Sequence, residues 1–143
     1  KTDGTEAGTQ MVADINPEWG DSHPAFVRAI GGTLFFSAAV EGYGKELWAS
    51  DGTLAGTRMV KEIFPIATDA DVNELTGLNG TLLFSAADFA HGAELWRSRG
   101  SEAETYLLKE CHPNAQSSVP QGLTPFGSVV LFSAYQYYVD KEL

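Results

Sequence analysis

Residues 44–57, GKELWASDGTLAGT, decide how the chain is read, because their parts return at a constant interval of 48 residues. Glu46-Leu47 comes back as Glu94-Leu95 and as Glu142-Leu143. Asp51-Gly52-Thr53 is preceded by Asp3-Gly4-Thr5 and followed by Arg99-Gly100-Ser101. Other columns keep the same step: Phe36, Phe84 and Phe132, each followed by Ser-Ala, then Pro17/Pro65/Pro113, Ala7/Ala55/Ala103 and Thr9/Thr57/Thr105. A gapless period of this length marks units that bury their faces against one another, and counting domains from chain length misleads here.

One period reads as four short strands, A to D. Residues 73–79 (NELTGLN) form an apolar stretch that ends in Asn79-Gly80, a strong two-residue hairpin signal. Residues 81–86 (TLLFSA) follow as strand B, and residues 93–98 (AELWRS) as strand C after the looser ADFAHG. Strand D is represented by residues 57–63 (TRMVKEI), where Met59, Val60 and Ile63 are interleaved with charge as on a half-exposed outer strand. Pro65 closes it, since proline brings no N–H to a ladder.

Four hairpin-linked strands per repeat match a β-propeller blade, so the expected fold is all-β. No window carries a helical apolar period free of glycine, proline or β-branched interruption. The chain then forms one repeat domain, 1–143, with repeats 1–48, 49–96 and 97–143 and the blade phase shifted. It opens on a D strand, residues 9–15, supplies two full blades and closes with strands A, B and C from about residue 119 to 143. The N-terminal strand is thus the missing edge of a C-terminal blade, and an edge exchanged in this way locks a propeller ring. Three blade equivalents fall short of the usual rings of about four to eight. The expectation is self-association to a dimer completing a six-bladed ring, or further repeats of a longer chain. By the period, a tryptophan like Trp48 and Trp96 should follow Leu143, and Lys1 should follow another.

Nine Lys plus Arg against nineteen Asp plus Glu give a net charge of −10, which repels a phosphate backbone, so no nucleic acid is expected as a partner. Apolar runs of about five to seven residues fall far short of the roughly 20 that a membrane helix needs, so no membrane span is expected either. No basic start with an apolar stretch suggests a signal peptide, and the expectation is a soluble, processed or excerpted segment. The one cysteine, Cys111, occupies the column of Ile15 and Ile63 and reads as a small buried hydrophobe.

These residues resemble the bacterial tandem-repeat family named for its ELWxxDGT signature, also described as hyalin-like. The likeness is carried by Glu46-Leu47-Trp48 with Asp51-Gly52-Thr53, by Gly56-Thr57, by Val60-Lys61-Glu62-Ile63 with Pro65, and by Gly80-Thr81 with Phe84-Ser85-Ala86. The first repeat matches through Asp3-Gly4-Thr5, Gly8-Thr9, Asp14-Ile15 and Pro17. The third departs at Arg99, Glu104 and Asp140. The resemblance implies propeller-type repeats and an extracellular or cell-surface location, and it implies no chemistry.

Among the recurring columns, the glutamate of ELW reads as a carboxylate that accepts turn N–H groups and ties blades together. Calcium at these carboxylates is the alternative, and no other cofactor is expected. Trp48 and Trp96 read as packing between blades, and Asp51-Gly52-Thr53 as a turn in which the aspartate bonds its own backbone. His23, His91 and His112 hold three different repeat positions, so no periodic metal set arises. Ser37, Ser85 and Ser133 recur after a strand phenylalanine and read as structural hydroxyls. No catalytic site is expected, and the chain is not read as an enzyme.

Function is expected in the connections, where the A–B and C–D turns read as tight and the B–C and D–A connections as longer and variable. Trp19 and Asp21 lie in one of these, with Asp69 and Asp71 in another. Tyr43, then Asp88, Phe89 and His91, then Tyr137 and Tyr138 lie in the B–C loops. Aromatic rings beside carboxylates suit a carbohydrate or a protein surface, the rings stacking on apolar sugar faces. The reading is a non-catalytic binding or adhesion propeller for a glycan or a protein surface. Its rival is a structural spacer array of a large secreted or cell-surface protein.

Overall fold

The computed structural model describes residues 1–18, 20–112 and 116–136. Among these the chain is all-β, with ten strands in antiparallel sheets and no helix. The first sheet runs in the order β1 (Ala25–Ile30), β2 (Thr33–Val40), β3 (Gly44–Ser50) and β4 (Arg58–Lys61). The second repeats it with β5 (Asn73–Leu78), β6 (Thr81–Asp88), β7 (Gly92–Ser98) and β8 (Tyr106–Lys109). In the third, β9 (Gln121–Phe126) pairs with β10 (Val129–Ser133).

Register repeats with the sequence. Phe36 faces Trp48 as Phe84 faces Trp96, and Ala38 faces Glu46 as Ala86 faces Glu94. The ring centroids of each aromatic pair lie 6.5 Å apart. The expected hairpin forms at Asn79-Gly80, with φ of 50° and 75°, the left-handed geometry that this residue pair tolerates best.

Each C–D turn is built the same way. Asp51 Oδ1 accepts the Thr53 N–H at 2.9 Å and its hydroxyl at 2.7 Å, while the Ser50 and Thr57 hydroxyls meet at 2.7 Å. Gly56 must be glycine here, because a Cβ would lie 2.1 Å from Asp51 Oδ1. The third repeat changes both partners at once. Arg99 removes the carboxylate, and Glu104 stands in the glycine's place and accepts the Ser101 hydroxyl at 2.8 Å. The carboxylate has moved to the other side of the turn, and the fold of the turn survives.

Alternation along the strands gives each sheet two apolar faces. Phe35, Leu47 and Ala49 of the first sheet join Leu82, Phe84, Ala86 and Trp96 of the second in one core, sealed by Val60, Ile63 and Val72. The opposite face of the second sheet places Leu83 and Leu95 against Leu123 of β9, with Val130 of β10 packed alongside. Strands β1, β5 and β9 are neighbours. Gly77 of β5 leaves room for Ile30, whose Cγ1 would lie 3.0 Å from a Cβ there, and the Thr76 hydroxyl donates to the Leu123 carbonyl at 3.0 Å.

Three expectations need correction. Residues 9–15 form no strand: their only ladder-like contact is between Lys1 and Gln10, whose backbones exchange hydrogen bonds of 2.6 and 2.8 Å. A ladder needs a neighbour along its whole length, and no described strand lies beside this segment. The B–C connections are not long but tight turns of three residues, 41–43 and 89–91, because β2 and β6 run on to Val40 and Asp88. The C–D connections, residues 51–57 and 99–105, are the longer ones. Third, Cys111 is only partly buried, unlike Ile63 in the same column. The strand C expected at the C-terminus lies outside the described residues.

Candidate functional site

The two described connections between sheets are each held by one buried carboxylate. Glu46 accepts the N–H groups of Ile63 at 2.9 Å and Phe64 at 3.0 Å, where the first sheet's last strand gives way to the connector. Glu94 does the same for Cys111 at 2.8 Å and His112 at 3.3 Å, then adds the N–H of Ser118 at 3.1 Å and its hydroxyl at 2.6 Å. Ser118 leads into β9, so Glu94 ties the second sheet to the third.

The connector backbone follows the same track each time. The carbonyls of Ser22, Ala70 and Ser118, one period apart, accept from Ala39, Ala87 and Tyr135, each at 2.7 Å. Asp69 Oδ1 takes the Lys45 N–H at 2.7 Å. Gly44 is needed beside this contact, since its φ is +71° and a Cβ would come within 2.7 Å of the Thr68 backbone.

Burial, the largest influence, pushes the Glu46 carboxyl from its usual 4.5 up to about 7. Its two N–H bonds oppose the rise, while Glu62 and Asp69 add to it. Between those pH values the folded chain holds a proton that the unfolded chain has released. The stabilisation is therefore complete below about pH 4.5 and is lost as pH climbs through about 7. His91, whose pKa is raised chiefly by its hydrogen bond to Asp88, changes in the same direction at higher pH. The expected result is a melting temperature that falls across this window in the parent and falls less in Glu46→Gln, measured by calorimetry from pH 4 to 8. Parallel profiles would show that another group carries the dependence.

Of the residues expected to bind, the structure joins two. Asp88 Oδ1 accepts the N–H groups of Ala90 and His91 at 2.9 and 2.7 Å, and its other oxygen meets His91 Nδ1 at 2.8 Å. Both are thereby committed to shaping their own turn. Tyr43 and Phe89 stay exposed in the equivalent B–C turns, Phe89 at 77%. Asp21 is exposed in the connector leading to β1. Trp19, Tyr137 and Tyr138 lie outside the described residues. Trp96 is packed between the first two sheets and not offered to a ligand, and the Ser37 and Ser133 hydroxyls donate to carbonyls of the neighbouring A strand at 3.4 and 3.3 Å.

What sequence reading missed is a cleft of about 410 Å³ at the B–C and D–A end, lined by Phe26, Lys45, Asp71, Asn73, Ser85, Ser117 and Val119. Of these, only Asp71 stood out in the sequence as a loop carboxylate beside the expected site; Ser85 was read as structural. The cleft exists because each A strand is preceded by one left-handed residue and carries another at its second position. One column is His23, Asp71 and Val119 with φ of 44°, 49° and 46°; the other is Phe26, Glu74 and Gly122 with φ of 54°, 57° and 66°. This breaks the register between Ala25 and Arg28 and between Asn73 and Thr76, turning strand starts away from the ladder. His23, Asp71 and Gly122 are of types that accept such a backbone, whereas Phe26, Glu74 and Val119 are not.

The lining combines an aromatic ring, a cation, a carboxylate, an amide and two hydroxyls. Such a set can stack on an apolar surface and exchange hydrogen bonds with a polyol or a peptide. Among the described residues, no group of three or more His, Cys, Asp or Glu side chains could hold a metal ion. Comparison of the chain with protein-family models, with curated proteins and with solved structures finds no match in any of the three.

Proposed function

We propose that the chain is a β-propeller segment of the ELWxxDGT kind, serving a secreted or cell-surface protein as a non-catalytic module that binds a glycan or a protein surface. The observation that carries this reading is the cleft at the B–C and D–A end, with Phe26, Lys45, Asp71 and Asn73 in its lining, on the same end of the sheets as the exposed rings of Tyr43 and Phe89. Three sheets that meet through β1, β5 and β9, with identical registers in the first two, support the propeller geometry. The B–C turns are short, which presents the Tyr43 and Phe89 rings beside the cleft at little ordering cost.

A spacer role is the second reading. It is favoured by the polar groups that repeat: Glu46, Glu94 and Asp69 are all engaged in holding connectors, and Asp88 holds its own turn. A glycan array with the purified chain separates the two. Binding is expected, with a drop of about tenfold or more, roughly 1.4 kcal/mol, in a Tyr43→Ser, Phe89→Ser double variant, whose exposed positions leave the fold intact. An array without hits would favour the spacer; hits indifferent to both rings would keep binding and place it away from the two B–C turns.

A further inference from the structure

The lining of the cleft at the B–C and D–A end runs from residue 26 to residue 119 and is drawn from all three repeats. Some of its polar groups are left without partners. Ser85 is only 2% exposed, yet it lines the cleft and its hydroxyl makes no hydrogen bond among the described residues. Its equivalents Ser37 and Ser133 donate to the carbonyls of Ala25 and Gln121, the residues across from them in the A strand. The residue across from Ser85 is Asn73, and no such bond forms. A hydroxyl held this deep without a partner costs free energy that a bound ligand recovers.

Lys45 has the same standing. It lines the cleft half-buried with its backbone N–H held by Asp69, and its ammonium makes no hydrogen bond or ion pair among the described residues. The second repeat has Ala93 in this column, on the lining of the same cleft, so the packing there does not require a lysine. On the accepting side, Asn73 donates its amide N–H to the Asp71 carbonyl at 2.7 Å. That leaves its Oδ1 and the exposed Asp71 carboxylate to accept from outside. Phe26 adds a ring that is 51% exposed.

From these groups, and resting on the binding function proposed above, we infer that the cleft takes an acidic sugar, a uronate unit of a glycan. Its carboxylate accepts from Lys45 and Ser85, its hydroxyls donate to Asp71 and Asn73, and its apolar face lies against Phe26. An acidic peptide would present main-chain N–H and C=O groups, which an open strand edge meets best. The unpartnered groups of this lining are on side chains instead. The net charge of −10 repels an anion at a distance. Preference for the acid therefore arises at contact, from Lys45.

Titration calorimetry of the purified chain with trimers of galacturonate and of glucuronate, each beside its neutral methyl ester, tests the assignment. At least one acid is expected to bind about tenfold or more tightly than its ester. Lys45→Ala, which installs the residue of the second repeat, is expected to abolish that difference by weakening the acid alone. Ser85→Ala is expected to weaken the acid severalfold at an unchanged melting temperature, since the hydroxyl holds nothing in the free chain. Equal binding of acid and ester, or a preference that survives Lys45→Ala, would overturn the inference and leave a neutral glycan as the ligand of the proposed function. Binding of hexa-aspartate without either uronate would overturn it in favour of a protein surface. Array hits confined to neutral glycans would remove the inference alone, whereas no binding of any probe and an array without hits would remove it together with the binding reading.

Discussion

Replacing Glu94 with alanine is expected to lower stability by about 3 kcal/mol, because it removes the acceptor for several buried donors at once. The carboxylate is fully buried and receives the N–H groups of Cys111, His112 and Ser118 and the Ser118 hydroxyl. The Ser118 donors are buried and those of Cys111 and His112 half-buried, so water compensates only in part and the loss exceeds the roughly 1 kcal/mol of an ordinary hydrogen bond. Glutamine in its place keeps one accepting oxygen but turns an NH₂ toward other donors, and a loss between the two is expected. Glu46→Ala should cost less, since among the described residues its donors are Ile63 and Phe64. Urea unfolding followed by tryptophan fluorescence measures all three. A Glu94→Ala midpoint equal to the parent's would mean that the carboxylate does not tie the second sheet to the third.

The second large effect is at Phe84. Its side chain is wholly buried between the first two sheets, and Phe84→Ala is expected to cost about 3–5 kcal/mol through lost burial and the cavity left behind. The informative comparison is between residues of one column. Leu82→Ala should cost about 3 kcal/mol, whereas Leu34→Ala, at a site more than a third exposed, should cost about 1 kcal/mol or less. Denaturant titrations at low protein concentration, where a second copy does not contribute, give these values. Equal costs at Leu34 and Leu82 would show that packing within each sheet decides stability and that the covering sheet adds little.

Much of the architecture could be read from local chemistry. Strands β5 to β8 fall where alternation and turn residues place them, and the Asp51 turn forms through bonds between residues two to four apart. The tie made by the glutamate of ELW was also legible, because a carboxylate in every repeat beside strand ends has few other partners than turn N–H groups. The candidate site was much less legible. Asp88 and His91 look like ligand groups in a list of polar loop residues, yet each satisfies the other across one turn. The left-handed backbone at Phe26 and Val119, which opens the cleft, runs against what aromatic and β-branched residues prefer. No residue type there announces it.

By itself the sequence determined the repeat, the strands within each full period and the turns between them, because these rest on neighbours close along the chain and on the alternation of apolar side chains. Only the tertiary structure decided which copy of a column is covered. Leu34 and Leu82 share residue type, strand position and facing partner type, Ser50 for one and Ser98 for the other. Yet one is 37% exposed and the other fully buried. What lies across each comes from residues a full period away or from another sheet altogether. Burial is a property of that opposing surface, and no local pattern encodes whether the surface is there.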